Sequence, residues 1–348
     1  MEQEQLFIDY IEQSIIQNWD RNALTDYQGI TLQYKDVARK IAKFHIVLES
    51  AGIQPGDKIA VCGRNSAHWA VCFLATVTYG AVIVPILHEF KADNIHNIVN
   101  HSEAKLLFVG DRAWENLNEE AMPLLMGVVL LTDFTPVVCR DERLMEAFEH
   151  RNAIYGTRYP KNFRPEHICY RKEQSPEELA VINYTSGTTG YSKGVMLPYR
   201  SLWSNTTFAF EVLPLKAGDK IVSMLPMAHM YGLAFEFLYE FAVGCHIFFL
   251  TRMPSPKIIF QAFTEVSNAL VNSRKSREIR ESREHLEQSA RSNLDLATLQ
   301  YINGVISYLD VLDAQRGYFD AQIGLNTAIR DELLATVQLY QVLGGGCS

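Results

Sequence analysis

The chain has no Cys-x-x-Cys pair, no excess of basic residues and no apolar run approaching about 18 residues. Each absence removes a class of protein. The six cysteines (Cys62, Cys72, Cys139, Cys169, Cys245 and Cys347) are scattered. That pattern suits free thiols in a reducing compartment better than a disulfide frame or a zinc site. With no long apolar run, no transmembrane helix is expected. Residues 1–10 are acidic and lack a basic stretch followed by an apolar one, so no secretory signal is expected. Lys and Arg number 32 against 40 Asp and Glu, a net charge of −8. This balance disfavours nonspecific binding to nucleic acid or anionic membrane. Proline is missing after Pro256 and tryptophan after Trp203, so the last quarter differs in kind from the rest. What remains is a chain of 348 residues, 48% hydrophobic and 21% charged, with room for one large domain or two ordinary ones.

Residues 184–195, Tyr-Thr-Ser-Gly-Thr-Thr-Gly-Tyr-Ser-Lys-Gly-Val, carry the chemistry. Just before them, Leu179-Ala180-Val181-Ile182-Asn183 reads as a short buried strand. Gly187, Gly190 and Gly194 let the backbone approach a ligand closely. Successive N–H groups in such a turn form an anion-binding concavity. Thr185, Ser186, Thr188 and Thr189 add hydrogen-bond donors, and Lys193 adds a mobile positive charge. The ligand this points to is a polyphosphate. The stretch is not a Walker A loop: Lys193 comes three residues after Gly190, and no Ser or Thr follows it.

Residues 1–50 read as helix, short strand pair, helix, with a turn at Tyr27-Gln28-Gly29. From Lys58 the pattern is α/β. Ile59–Cys62 reads as a strand, Trp69–Tyr79 as a helix and Gly80–Ile86 as a second buried strand, a βαβ unit that implies a parallel sheet. Further strands are expected at 106–109, 127–131, 220–224 and 244–250, and a helix begins near Pro254.

The strand, glycines, hydroxyls and lysine, in that order, resemble the phosphate-binding signature of the AMP-forming adenylating enzymes, the acyl-CoA synthetase and ligase superfamily. Gly-Asp-Lys-Ile-Ala-Val (56–61), Asn65, Trp69, Gly-Ala-Val-Ile-Val-Pro (80–85) and Leu-Pro-Met-Ala-His-Met-Tyr-Gly (225–232) extend the likeness over residues 10–265. Ser192 stands where that family usually has proline. The resemblance implies that Thr185, Ser186, Gly187, Thr188, Thr189, Gly190 and Lys193 bind ATP phosphates. It makes Lys193 and His229 the catalytic candidates, His229 bordering the acyl site and Tyr231 shaping the pocket wall. It implies ATP with Mg²⁺, a fatty acid substrate and CoA as co-substrate, and it names no protein metal ligand.

Beyond residue 265 the chain reads as long helix, short turn, long helix. In the second helix, Leu309, Leu312, Phe319, Ile323, Leu333, Val337 and Tyr340 form one seam of a seven-residue repeat. Ala314, Tyr318, Ala321, Leu325, Ala328, Ala335, Leu339 and Val342 form another. Two seams ask for neighbours on two sides. Gly304 suits a left-handed cap, and Ser307 and Asp310 suit the second helix start. Residues 262–346, through Leu-Asp-Val-Leu-Asp-Ala-Gln (309–315) above all, resemble the C-terminal helical hairpin of the TolC-like outer-membrane efflux factors. There the positions matching Asp310 and Asp313 narrow the tunnel entrance.

The expected architecture is therefore α/β: an incomplete parallel-sheet adenylating-enzyme N-terminal domain (1–262), followed by a long antiparallel α-helical hairpin (263–348). The join reads as a chimera. The later motifs of the ligase family do not appear after residue 265, so turnover is not expected. Exposed apolar surface predicts aggregation or helix-mediated self-association. The cytoplasm is the expected compartment, with the outer membrane as the alternative that the hairpin suggests.

Overall fold

The computed structural model describes residues 6–172, 175–185, 192–250 and 256–342. It divides into two compact units, Met1–Met253 and Pro254–Ser348.

The first unit opens with helix α1 (Phe7–Gln17), strands β1 (Asn22–Asp26) and β2 (Thr31–Gln33), and helix α2 (Tyr34–Ser50). The turn between the strands puts Gln28 at φ 58° beside Gly29. Then follow β3 (Lys58–Cys62), α3 (Ala67–Tyr79), β4 (Val82–Ile86), α4 (Ala92–His101), β5 (Leu106–Val109), the short α5 (Asp111–Trp114), β6 (Gly127–Leu130), β7 (Pro136–Cys139) and α6 (Glu142–Arg158). The unit closes with β8 (Leu179–Thr185), β9 (Lys193–Pro198), α7 (Tyr199–Val212), β10 (Lys220–Ser223), α8 (Met230–Leu233), a π-helical turn (Ala234–Leu238), α9 (Tyr239–Val243) and β11 (His246–Phe249).

Two sheets result. A seven-stranded sheet runs β7-β6-β5-β3-β4-β8-β9. Its centre, β6 to β8, is parallel, and β7 and β9 close its edges antiparallel. A four-stranded sheet runs β10-β11-β1-β2, with only β2 antiparallel. The second sheet and the antiparallel edges are additions to the parallel sheet expected from the sequence. Helix α3 is apolar on every side and buried almost throughout, as a helix must be when it touches strands of both sheets. Ser66 Oγ caps it by accepting from Trp69 N at 3.1 Å, and the Asp26 carboxylate at the end of β1 accepts from Ala67 N at 2.7 Å.

The second unit is a hairpin of α10 (Pro256–Ile302) and α11 (Tyr308–Val342), antiparallel across a five-residue turn. Helix α10 continues without a break through the 262–265 region where the sequence changes character. Gly304, at φ 75°, ends it in the left-handed cap that the sequence suggests, with Val305 N donating to Gln300 O. Within the hairpin, Ala321, Ala328 and Ala335 are buried at seven-residue spacing, and Arg280 Nε meets Glu332 Oε2 at 2.6 Å between the two helices. Leu309, Phe319 and Leu333 of the other seam are 67%, 61% and 63% exposed. One seam packs in the hairpin, and the other lies open.

Candidate functional site

Strand β8 is buried along most of its length and then emerges at Thr185. Strand β9 returns antiparallel, so that Thr185 faces Lys193 across the pair. The two strands thus hold both ends of the glycine-rich loop. Ser186, Gly187, Thr188, Thr189 and Gly190 lie outside the described residues. At Gly194 a side chain would press on the pair itself, since a Cβ there would come 3.0 Å from Ile182 Cγ2 and 3.1 Å from the Tyr184 ring. Tyr184 is fixed from below by a 2.7 Å hydrogen bond between its hydroxyl and His101 Nδ1.

The segment carrying His229 docks beside β8. Buried Asn183 donates from Nδ2 to Ala228 O at 3.0 Å. Asn65, in the loop after β3, holds the same segment from another side: its Nδ2 donates to Leu225 O at 2.7 Å, and its Oδ1 accepts from Met227 N at 2.9 Å. Glu236 Oε2 accepts from Met224 N and Leu225 N at 2.6 and 2.7 Å. The segment then folds so tightly that a Cβ on Gly232 would lie 2.6 Å from Pro226 O. Leu-Pro-x-x-His-x-Tyr-Gly is therefore a backbone turn locked by three side chains, which is what the proline, the glycine and the spacing require.

His229 is exposed and caps α8, its Nδ1 accepting from Tyr231 N at 3.3 Å. Tyr231 is also exposed, with its ring 5.0 Å from Phe235. The structure brings Thr185, Lys193 and the Ala228–His229 backbone to one end of β8. Asn65 is among the residues that carry the family resemblance, but its clamping role is not legible in the sequence. No local signal could have revealed it, because its partners lie about 160 residues away.

A crevice of about 730 Å³ lies at the carboxyl ends of β1, β3 and β5, lined among others by Asn65, Ser66, His88, Asp111 and Arg112. It sits where the connections from β3 and β5 run in opposite directions, the place where open α/β sheets bind ligands. Among the described residues no group of three or more His, Cys, Asp or Glu side chains gathers as a metal site. In the separate hairpin unit, Asp310 accepts from Ser307 N and Oγ at 2.9 and 2.7 Å, and these bonds hold its carboxyl below the usual range. Ser307 thus stands before the helix as expected: its N and Oγ donate to Asp310, and its backbone oxygen accepts from Asp310 N at 3.2 Å. Asp313 is exposed one turn further on.

The family model for AMP-binding enzymes matches residues 11–272. The chain belongs to the AMP-binding enzyme family. A second model, for outer membrane efflux proteins, matches residues 257–345, so the hairpin resembles that family. Among curated relatives of the AMP-binding part, a chloroplastic long-chain-fatty-acid–[acyl-carrier-protein] ligase of Arabidopsis thaliana is 30% identical over 234 residues, 63% of this chain and 31% of that protein. Long-chain-fatty-acid–CoA ligase 1 of Cavia porcellus is 29% identical over 228 residues, 62% of this chain and 31% of its own. The chain thus spans about a third of the length of the curated relatives it matches. A red-emitting luciferase of Phrixothrix hirtus shares the fold at a TM-score of 0.62 and 18% identity, covering 73% of this chain and 48% of that one. The ATP-bound MatB of Rhodopseudomonas palustris does so at 0.55 and 21%, covering 72% and 47%. The AMP-binding part is therefore a mixed α/β adenylating-enzyme fold, joined in one chain to a long helical hairpin.

Proposed function

We propose that residues 179–232 form the phosphate-binding side of a carboxylate-adenylating site, descended from an AMP-forming fatty acid–CoA ligase, that does not turn over in this chain. The observation that carries this is the pairing of Thr185 with Lys193 at the mouth of the glycine-rich loop, beside the locked turn of His229. In this reading Thr185, Ser186, Gly187, Thr188, Thr189 and Gly190 cradle the ATP phosphates. Lys193 stabilises charge developing on them, and His229 borders the fatty acyl group. Mg²⁺ would arrive with the nucleotide. Arg112 in the crevice after β5 suits a phosphate-bearing co-substrate such as CoA.

Adenylation needs adenine and ribose contacts and a closed, dry site as well as a phosphate cradle. Here the helices α10 and α11 follow where the ligase family's later motifs are expected. We take 1–262 as the truncated ligase domain and 263–348 as the efflux-factor-like coiled-coil hairpin of a chimera. The scattered free thiols favour the cytoplasm. Two measurements test the reading. ATP–pyrophosphate exchange with dodecanoate should stay at background, and exchange well above background would overturn the inactivity. Equilibrium dialysis should detect weak ATP binding that Lys193→Ala lowers about tenfold, the worth of one charge-assisted contact. ATP binding that ignores this substitution would remove the cradle.

A second reading is favoured by the match over 257–345 and by the open seam of α11. In it the hairpin is a component of an outer-membrane efflux tunnel, with Asp310 and Asp313 at the tunnel entrance. The described residues contain no helix long and apolar enough to cross a membrane. The seam would instead meet copies of itself. Sedimentation of the chain beside a Phe319→Glu, Leu333→Glu variant separates the outcomes: dissociation of an oligomer by the variant supports helix-mediated assembly, and identical profiles count against it.

A further inference from the structure

A second cavity, of about 470 Å³, opens between α2, α6 and the 131–135 loop, and no residue of the 179–232 region lines it. Its walls are apolar and aromatic, Phe44 and Phe134 among them, and four cations stand around it: Arg39, Lys40, Lys43 and Arg151.

The charges do not balance. Two carboxylates line the same cavity; Asp36 is paired with Arg39, one of the four cations, and Asp133 is bound to backbone outside it. Asp36 accepts from Gln33 N at 3.1 Å and from Arg39 at 3.3 Å, and Asp133 accepts from Thr135 N at 2.9 Å. Among the described residues no carboxylate lies within ion-pair distance of Lys40, Lys43 or Arg151. Lys43 Nζ instead reaches the Asn152 amide oxygen at 2.9 Å, and Arg151 lies over the Phe148 ring at 5.4 Å. Lys40 is in the weakest position. Its Nζ donates to His68 Nε2 at 3.2 Å, because the other nitrogen of His68 is committed to Leu131 O at 2.7 Å. Burial and the neighbouring Lys43 pull the Lys40 pKa down, although Asp36 opposes them. An anion here would relieve that repulsion.

Backbone strain lies at the same place. Phe134 has φ 60°, a region that a bulky side chain rarely enters. Such strain gathers at ligand sites, where the surrounding structure enforces it. The conformation sets the Phe134 ring 6.0 Å from Phe44 and 6.2 Å from Phe108, with Lys40 5.8 Å above it. A volume of this size, apolar with a few convergent charges, is the usual form of a small-molecule site.

We propose that this cavity binds an amphipathic organic anion: a flat or short apolar body held among the phenylalanines, with one carboxylate or phosphate facing Lys40, Lys43 and Arg151. The site is independent of the adenylating reading, since it shares no residue with it. Calorimetric titration of the full chain with 2-naphthoate, 2-naphthyl phosphate and neutral 2-naphthamide tests it, the two anions separating carboxylate from phosphate preference. At least one anion should bind saturably, and at least about tenfold more tightly than the amide, as charge-assisted contacts require. Lys40→Met and Lys43→Met, measured separately so that one folded variant suffices, should each weaken that anion several-fold and leave the amide unchanged. His229→Ala should change neither. Absence of saturable anion binding would overturn the proposal. So would equal affinity for the amide, or anion binding that survives both lysine substitutions or depends on His229.

Discussion

The ring of His45 donates from Nε2 to Ala75 O at 3.0 Å and to Thr78 Oγ1 at 3.1 Å, and burial lowers its pKa to about 4. A base lowered in this way contributes stability above its unfolded pKa of about 6.5, lost as pH falls through 4. Glu240 does the opposite. It is buried, one of its carboxyl oxygens has no partner among the described residues, and burial raises its pKa to about 7. A raised acid contributes stability below its unfolded pKa of about 4.5, lost as pH rises through 7. Between pH 4.5 and 6.5 the two slopes, each up to about 1.4 kcal/mol per pH unit, oppose one another. Urea unfolding of the chain should therefore show little net dependence on these two groups in that window. In His45→Gln stability should fall as pH rises, and in Glu240→Gln it should rise. Parallel curves for both variants would refute the assignment. Asn65→Ala strands Met227 N and Leu225 O in the locked turn and should cost about 1–3 kcal/mol. Urea midpoints would check this.

At the scale of elements, the seven-residue repeat in α11 offers two seams in the sequence that look equally suited to burial. The structure distinguishes them: the alanine seam packs in the hairpin, since small residues allow close approach, and the bulkier seam remains open. Ala328→Leu should therefore overpack the hairpin and lower its stability by about 1–3 kcal/mol, and Phe319→Ser should alter it by no more than about 0.5 kcal/mol. Melting followed by circular dichroism on both variants measures the contrast, and the reverse order would show that the seams were exchanged. The same reasoning explains what could be read from residues 6–250. β3, β4 and β5 are buried on both faces and stand out as compact apolar runs. β9 lies at an edge with Val195 and Met196 exposed, so its residues read as the tail of a loop. β1 pairs with β11 about 220 residues later, a partnership that no local period encodes. At the candidate site, the sequence suggested Thr185, Lys193 and His229 from residue type and order. The Asn65, Asn183 and Glu236 bonds that fix the backbone there join residues 160, 45 and 11 positions apart, which no local pattern marks.

At the scale of the molecule, the AMP-binding match and the resemblance to outer membrane efflux proteins meet within one helix. Their models overlap at residues 257–272, and α10 spans that overlap unbroken. The core clusters lie in the first unit, the hairpin buries only alanines among its described residues, and each unit leaves apolar side chains open, such as Met196, Phe208 and Val222 in the first and the α11 seam in the second. Exposed apolar surface of this kind drives association. The chain should elute from size exclusion earlier than its monomer position and shift with concentration, whereas a sharp, concentration-independent monomer peak would count against this. In the proposed chimera the two units, 1–253 and 254–348, melt independently of one another. Differential scanning calorimetry of the full chain, set beside residues 1–253 alone, tests it most directly. Two transitions are expected, one of them reproduced by the 1–253 piece. A single transition whose calorimetric and van't Hoff enthalpies agree for all 348 residues would contradict it.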